Sequence, residues 1–429
     1  MRIANRFSRA FGVFLLFAFA LQIPAFGFTP DPETTILLNQ IEQDTLQYFI
    51  RMSDKMTGLT RDSSRPGAPA SIAATGFALA AVAIGESRGW IPKKQAKAQI
   101  RKTLKTLLTK AQHQNGFFYH FLDSRTGRRV WSSEASSIDT ALLIAGALLA
   151  GLYNPGSDIE RMAHDLYERV DWVWMTNGSS LICMGWTPEN GFLPYYWDSY
   201  NELLILQALA IGSPTHPVPK ESWNEWLRNE DEYNGKKIIY SYTGSLFTYQ
   251  YAQAYIDFRN LDDKGINYFE NSRKATEANW EYSLSFADRY KGYTENSWGL
   301  SASLGPGGYK AYGAKPGTAI HDGTIAPHAV ISSIVFTPER SIRAVQHFMG
   351  TYREELYGNF GFKDAYNLDK GWWAPEYLGI DQGISVLMLE NYLNDGAVWK
   401  KFMKLGAIEH WIEHCQLRSK TSPPPTPSA

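Results

Sequence analysis

Six short polar or glycine-containing segments each lead directly into an apolar stretch with helical spacing, and this repeat constrains the fold more than any other feature. The stretches begin near Ser71, Ser137, Ser199, Ser245, Ala326 and Gly379. Segments with apolar residues on one face only separate them, as expected of outer helices. The alternation predicts an all-α (α/α)6 barrel, a double ring of six inner and six outer helices. The amino-terminal ends of the inner helices would share one rim, where their free N–H groups favour carboxylates.

Residues 1–27 have the pattern of a secretory signal peptide. A basic start precedes an apolar run over residues 11–23, and the small residues Ala25 and Gly27 suit signal-peptidase cleavage. The alternative is an uncleaved membrane anchor, but the run is shorter than the roughly 20 residues of a membrane span. We therefore expect a periplasmic or secreted protein with no stable membrane insertion after cleavage.

Residues 28–418 are predicted to form one large domain, because no Pro-, Gly- or Ser-rich linker divides them, and the Pro-rich tail 419–429 is predicted to be disordered. The formal net charge is −1 without a basic block, which argues against a nucleic-acid partner. The chain has two cysteines, Cys183 and Cys415, which allow either one bridge or two independent thiols. We expect a monomer that needs no cofactor, and the scattered histidines indicate no metal site.

Carboxylates lie at the openings of the second and third predicted inner helices. Asp139 follows Ser136 at a Ser-x-x-Asp spacing, which capping alone would explain. Asp198 is suited to be an N-cap residue, whereas Glu202 is expected one turn inside the third inner helix, where it has no capping duty. The apolar residues 203–206 follow Glu202 directly, so we expect this carboxyl to be partly buried, with a raised pKa that suits proton donation.

Asp381 lies in the first turn of the last inner helix, between Gly379 and Gly383. These glycines would let a ligand approach closely, although capping is again the simpler alternative. The helix dipole should keep Asp381 ionised, opposite to the tendency expected for Glu202. Two carboxyls whose protonation is pushed apart are the acid and base pair of glycoside hydrolysis.

Aromatic residues make up 14% of the chain, and many lie in predicted loops, including the long non-helical segment 292–323. Flat aromatic faces stack on sugar rings, while neighbouring polar groups bind the hydroxyls. The alternative is that many of them only cap the helices. The candidate substrate contacts are Trp131, Glu134, Trp186, Trp197, Asp198, Tyr200, Trp298, His321, Asp322, Trp372 and Trp373.

Eight ordered motifs resemble the glycoamylase-like family, which includes the bacterial endo-β-1,2-glucanases of glycoside hydrolase family 144 and a domain of cyclic β-1,2-glucan synthases. The motifs occupy residues 71–77, 116–121, 136–143, 184–186, 211–217, 268–273, 322–327 and 379–383. The resemblance extends over about residues 33–415. It implies an (α/α)6 glycoamylase-like catalytic domain, export from the cytoplasm, and hydrolysis of β-1,2-glucan or its oligosaccharides with inversion.

The same resemblance implies roles for three residues. Glu202 corresponds to the general acid and Asp381 to the base, which would act through a substrate hydroxyl or a water chain. Asp139 matches a further acidic position in the cleft. Ser199 stands where we expect glycine in the family, a departure beside Glu202.

Three alternative functions remain open. A transglycosylase of the same fold would form longer or cyclic glucans, and a binding protein would hold glucan without cleaving it. A polysaccharide lyase is disfavoured, because an acidic rim repels an anionic sugar. The sequence contains no Gly-x-Ser-x-Gly elbow, Walker loop or HExxH motif.

Overall fold

The structure is a computed structural model that describes residues 28–419. The predicted signal peptide and residues 420–429 of the predicted tail lie outside the described residues. Helices provide most of the regular structure in the described part. Their bounds are α1 Pro32–Arg51, α2 Ile72–Ser87, α3 Lys93–Thr109, α4 Ser137–Leu152, α5 Asp158–Glu168, α6 Leu203–Ile211, α7 Ser222–Glu225, α8 Phe247–Tyr255, α9 Tyr268–Leu284, α10 Pro327–Ile331, α11 Pro338–Thr351, α12 Arg353–Leu356, α13 Gly379–Leu393, α14 Ala397–Phe402 and α15 Gly406–His414.

Short strands connect the helices as small antiparallel pairs and two three-stranded sheets, β5–β6–β7 and β13–β16–β17. The strand bounds are β1 Ala70–Ser71, β2 His113–Gln114, β3 Phe117–Phe118, β4 Phe121–Leu122, β5 Ala135–Ser136, β6 Gly185–Thr187, β7 Gly191–Phe192, β8 Glu230–Tyr233, β9 Lys236–Ile239, β10 Leu261–Asp262, β11 Ser303–Gly305, β12 Gly308–Lys310, β13 Thr324–Ile325, β14 Tyr357–Gly358, β15 Gly361–Phe362, β16 Tyr366–Asn367, β17 Trp372–Trp373 and β18 Arg418–Ser419. Ser419, where the predicted tail begins, pairs with Leu261.

The helices divide into the two classes that the sequence predicts. Helices α2, α4, α6, α8 and α13 are buried on nearly all sides. Helices α1, α3, α5 and α11 bury one face only. The buried helices contact one another, α2 with α4 and α13, α4 with α6, and α8 with α6 and α13, so they form a common core. Within residues 28–419, none of the helices combines the length and hydropathy of a membrane span.

Several predicted boundaries are wrong. Pro327 is suited to the first turn of the fifth inner helix and does begin α10, but this helix has only five residues. Apolar spacing predicts one outer helix over 159–175, whereas α5 ends at Glu168. The spacing also predicts one closing helix over 397–415, which the structure divides into α14 and α15. Periodicity continues across these breaks, so it gives no signal for the ends. The segment 292–323 is non-helical as predicted, and it carries the β11–β12 hairpin.

The backbones of α2 and α4 are in direct contact at Gly76 and Gly146. A Cβ added at Gly76 would lie 2.5 Å from the Leu142 carbonyl oxygen, and one at Gly146 would overlap the Gly76 carbonyl. Adjustment would require rigid backbone to move. These glycines therefore set the spacing of the two helices that carry part of the site.

We expect Gly146→Ala to lower the free energy of unfolding by about 2 kcal/mol, as overpacked cores do. Urea denaturation would measure this loss. Gly350→Ala is the matched control, because its Cβ in α11 would meet no atom within 4 Å. That change should leave stability unchanged or raise it by about 1 kcal/mol at most. Equal effects of the two substitutions would contradict the close contact.

Candidate active site

Two-residue strands fix the openings of three inner helices. Strand β1 directly precedes α2, and β5 directly precedes α4. Strand β13 ends one residue before α10 begins. Ser71 and Ser136 then cap α2 and α4, accepting hydrogen bonds from Ala74 N at 3.2 Å and Asp139 N at 3.3 Å. These capped ends bring polar side chains from distant parts of the chain together.

Six carboxyl groups, which we call the acidic bowl, lie close enough for their charges to affect one another's pKa values. Its members are Asp62, Asp139, Glu202, Asp364, Glu376 and Asp381. They come from loops and from the openings of α4, α6 and α13. The structure thus places Glu202, Asp381 and Asp139, the three predicted catalytic residues, in one cluster.

Glu202 is the N-cap residue of α6 rather than a residue one turn inside it. Its side chain makes no capping bond, and Asn201 Oδ1 instead accepts from Leu203 N at 2.8 Å. Burial is the main cause that raises the pKa of Glu202 to about 7, and the charge of Asp139 adds to the effect. The predicted raised pKa is confirmed, and at neutral pH this carboxyl holds its proton about half of the time.

His120 joins two of the predicted acidic residues. Its Nδ1 lies 3.1 Å from Glu134 Oε1, and its Nε2 lies 3.5 Å from Asp139 Oδ1. Burial alone would lower the pKa of His120, but Asp139, Glu134 and Asp62 together raise it to about 9. A protonated His120 therefore holds this side of the acidic bowl in place. Ser136 Oγ donates to the other oxygen of Asp139 at 2.5 Å.

The raised pKa of His120 makes stability depend on pH. The folded-state pKa of about 9 exceeds the ordinary 6.5, so the stabilisation is fully present below pH 6.5 and is lost as pH rises through about 9. We expect His120→Gln to cost about 2 kcal/mol at pH 6 and almost nothing at pH 10. Urea denaturation at both pH values tests this. A cost that does not change with pH would contradict a charged His120.

Asp381 is almost completely buried, with 2% of its surface exposed. Burial, and then the neighbouring Asp364, raise its pKa well above the ordinary value. The prediction that the helix dipole keeps Asp381 ionised is therefore wrong, because desolvation and a like charge outweigh the dipole. Nor can its carboxylate touch a water in an open cleft directly.

Asp364 and His328 complete this buried cluster. Burial raises the pKa of Asp364 to about 6, and Leu304 N donates to its Oδ2 at 2.6 Å. His328 Nε2 lies 3.3 Å from Asp381 Oδ1, but burial lowers the pKa of His328 to about 3, so it is neutral. No cation among the described residues pairs with the two aspartates, and the charge of Asp364 adds to burial in raising the pKa of Asp381. A cavity of about 10 Å³ beside them has room for one water.

The prediction that Gly379 and Gly383 let a ligand approach closely is wrong. A Cβ at Gly379 would lie 2.7 Å from the Ala74 Cβ, and one at Gly383 would overlap the Phe77 ring. Their missing side chains instead allow α13 to pack against α2.

Two tyrosines link the sides of the acidic bowl. Burial raises the pKa of the Tyr251 hydroxyl well above its ordinary value, and the charges of Asp381, Glu202 and Asp139 add to this effect. Burial, and then the charges of Asp381, Asp364, Asp62 and Glu202, also raise the pKa of the Tyr309 hydroxyl, on the β11–β12 hairpin. Even so, 54% of the Tyr309 surface is exposed. The charges of Glu202 and of the buried Asp381 therefore both reach Tyr251 and the Tyr309 side chain of the β11–β12 hairpin.

The aromatic candidates differ in how much of their surface is exposed. Trp131 is 63% exposed, and Trp186, Trp372 and Trp373 are half-buried. Trp197 is 8% exposed, and its Nε1 donates to Ser137 Oγ at 2.8 Å.

Two other candidates belong to the core. Tyr200 is 1% exposed and stacks on Tyr249, and Trp298 is completely buried. The prediction that these two contact substrate is corrected, because their apolar surface is already covered by protein. For Tyr200 and Trp298 the alternative is correct: these aromatic side chains only pack against the helices.

The polar candidates differ in their surroundings. Asp198 is exposed and does not cap α6, which corrects its predicted capping role. Asp322 accepts bonds from Tyr312 Oη at 2.9 Å and Thr324 Oγ1 at 2.6 Å. His321 packs against aromatic rings, and burial lowers its pKa. Asp322 therefore organises the end of the long insertion.

Sequence reasoning missed several members of the site. Asp62, Asp364 and Glu376 lie in loops without a periodic or capping signal, His120 lies between the short strands β3 and β4, and Tyr309 lies within β12. A weak signal existed for His120, because it lies inside the motif 116–121. The others are brought to the bowl by tertiary folding alone.

Two groups of side chains have donor atoms spaced as metal ligands would be. They are His120 with Glu134 and Asp139, and His328 with Asp364 and Asp381; in each group the atoms lie within 4.8 Å of one another. Cys183 and Cys415 are both free thiols, which decides between the two alternatives for them.

Comparison with known proteins supports a relation to glycan-cleaving enzymes. Residues 194–406 match the family model named Glycoamylase and described as "putative glucoamylase". The chain is 28% identical over 420 residues to an exo β-1,2-glucooligosaccharide sophorohydrolase (non-reducing end) of Parabacteroides distasonis. The match covers 89% of this chain but 58% of that relative, so the chain spans little more than half of the relative's length.

Two solved structures share the fold. A "putative glucoamylase" from Bacteroides uniformis has a TM-score of 0.85 at 29% identity, covering 91% of this chain and 99% of that one. An endo-β-1,2-glucanase from Chitinophaga pinensis, in complex with sophorotriose and glucose, has a TM-score of 0.84 at 28% identity, covering 89% and 98%. The resemblance to the glycoamylase-like family that the sequence motifs indicate is therefore confirmed.

Proposed function

We propose that this protein is a glycoside hydrolase that cleaves β-1,2-linked glucan or its oligosaccharides with inversion. The observation that carries the proposal is the acidic bowl, in which Glu202 has a pKa of about 7 and its charge acts on the same two tyrosines, Tyr251 and Tyr309, as that of the buried Asp381. The relatives named for β-1,2-glucan activity supply the linkage. We further propose that the inner and outer helices close into an (α/α)6 barrel around this bowl.

In the proposed reaction, Glu202 donates its proton to the glycosidic oxygen as the C1–O bond breaks. A water oxygen forms the new bond to C1 from the opposite face of the sugar, which inverts the configuration. The proton released by this water passes to the Asp381–Asp364 pair through a substrate hydroxyl or a second water, because Asp381 is 2% exposed. After the product leaves, the aspartate pair releases this proton to solvent and Glu202 takes one up from solvent.

We also propose that the protein acts outside the cytoplasm, as a monomer, after removal of residues 1–27. Trp131, Trp186, Trp372 and Trp373 are the proposed sugar-stacking residues, because part of each side chain is exposed. Detection of the mature chain in a periplasmic or culture fraction, with an amino terminus near Phe28, tests this proposal.

The decisive experiment incubates the protein with glucans of defined linkage and follows the products by NMR. We expect cleavage of β-1,2-glucan in preference to β-1,3-, β-1,4- and α-1,4-glucans, with the α-anomer appearing first. Initial release of the β-anomer would contradict inversion. Longer or cyclic products would instead identify a transglycosylase, and binding without new reducing ends over days would identify a glucan-binding protein.

A further inference from the structure

Trp131 occupies an unusual turn at the rim of the site. Ser133 N donates to Val130 O at 3.2 Å, and the two central residues, Trp131 and Ser132, both have positive φ values of 57° and 52°. Turns of this kind normally use glycine or asparagine, because a side chain with a Cβ is strained there. The strain is retained although a large indole must be accommodated, which indicates that the position of the ring matters.

Arg129 holds this turn in place. Its guanidinium donates to Ser132 O at 2.6 Å and also to Ser133 O. The same group binds Glu189 through two bonds, of 2.6 and 2.9 Å. The bonds to these two carbonyl groups fix the backbone of the turn that carries the exposed Trp131 ring. Ordering it on ligand binding should cost little entropy.

A pocket of about 290 Å³ lies against this ring, and Asp54, Arg61 and Asp123 also line it. The Oδ1 atoms of Asp54 and Asp123 stabilise their own loops, accepting from Met56 N and Thr126 N at 2.8 Å. Their Oδ2 atoms accept no bond from the described residues. The Arg61 guanidinium likewise has no hydrogen-bond or ion-pair partner within residues 28–419, so the pocket combines an aromatic face with free donors and acceptors.

The pocket lies next to the acidic bowl. The Trp131 ring contacts Phe121 with centroids 5.1 Å apart, and Phe121 stacks on the His120 ring at 3.9 Å. His120 in turn binds Asp139 in the bowl. On the other side, Arg61 directly precedes Asp62, a member of the bowl.

We infer that this pocket binds an additional glucosyl unit of the substrate chain, beyond the units held in the acidic bowl, and that Trp131 thereby gives a preference for longer β-1,2-glucans. The inference rests on the proposed function. The apolar face of a neutral pyranose stacks on Trp131, and its hydroxyls bond to Arg61 and to the free Asp54 and Asp123 oxygens. A uniform contribution of this kind lowers KM and leaves kcat unchanged.

The test compares kcat and KM for β-1,2-glucooligosaccharides of increasing length. We expect Trp131→Ala to lower kcat/KM about tenfold on long chains through KM, and less than about twofold on the shortest chain that is cleaved. Trp131→Phe should recover most of the loss, because a flat ring remains. Arg61→Ala should show the same dependence on length. Circular dichroism confirms that each variant is folded.

Met56→Ala is the matched control, because Met56 is 81% exposed in the neighbouring loop and does not line the pocket. It should leave the kinetics unchanged at every length. An equal loss for Trp131→Ala on short and long chains, or no loss at all, overturns the inference while the hydrolase remains. If the wild-type protein cleaves no β-1,2-glucan, the proposed function fails and the inference fails with it.

Discussion

Glu202→Gln should lower kcat on β-1,2-glucan by about 10³-fold, within the range known for loss of a general acid. Glutamine has the same shape but cannot give a proton to the departing oxygen. Since the Glu202 side chain makes no capping bond to α6, the substitution should leave the helix intact, and because burial disfavours the charged carboxyl, the free energy of unfolding at pH 7 should be unchanged or higher. Steady-state kinetics and urea denaturation of the same preparation measure both quantities.

A second substrate separates proton donation from substrate binding. An aryl β-sophoroside with a nitrophenol leaving group needs little protonation, so Glu202→Gln should cleave it nearly as fast as the wild type. Equal losses on both substrates would show that Glu202 does not act as the acid. Glu232→Gln is the control for loss of a carboxylate, because Glu232 is exposed in the β8–β9 hairpin and lies outside the bowl.

The pH dependence of activity also tests the assignment of Glu202 as the general acid. The acid must be protonated to act, and the pKa of Glu202 is raised by burial to about 7 from the ordinary 4.5. Activity should therefore persist to about pH 7 and fall as pH rises further. If Glu202 titrated like an exposed glutamate, the fall would begin more than two pH units lower. A wild-type profile that declines between pH 4 and 5 would contradict a raised pKa for the acid.

The burial and the raised pKa of Glu202 can be predicted from the sequence because the pattern that indicates them is local. A carboxylate directly before the apolar stretch 203–206 must be desolvated as the helix is buried, whatever the rest of the fold does. The Ser136–Asp139 cap is predictable for the same reason, since one turn of helix contains both partners. The buried and one-sided helices also follow from patterns within single segments.

The remaining part of the site depends on contacts that no local pattern records. Asp62 and Asp364 lie in loops, and only the folded chain brings them beside Asp139 and Asp381, respectively. The prediction that Asp381 stays ionised is wrong for this reason. The helix dipole can be inferred from the sequence, but the nearby charge of Asp364 cannot. The interpretation of Gly379 failed similarly, since its neighbour is Ala74 on another helix.

Asp381→Asn should lower kcat by about 10²- to 10⁴-fold, because the pair then loses the group that receives the proton of the attacking water. The variant should keep a KM close to that of the wild type, since Asp381 is buried and does not contact the sugar directly. Kinetics on β-1,2-glucan at several pH values measure the effect. A loss below tenfold would assign the base to another member of the bowl, such as Asp62.

Asp364→Asn provides the sharper test, because it changes the pKa of Asp381 without removing it. The amide oxygen of the introduced asparagine can still accept the bond from Leu304 N, so the local structure should persist. Asp364 is, after burial, the largest cause that raises the pKa of Asp381, so its replacement should lower that pKa. A base must be unprotonated to act, and activity on the acid side should therefore extend to lower pH. If both residues were only structural, Asp364→Asn would lower kcat equally at all pH values, and the acid limb would not move.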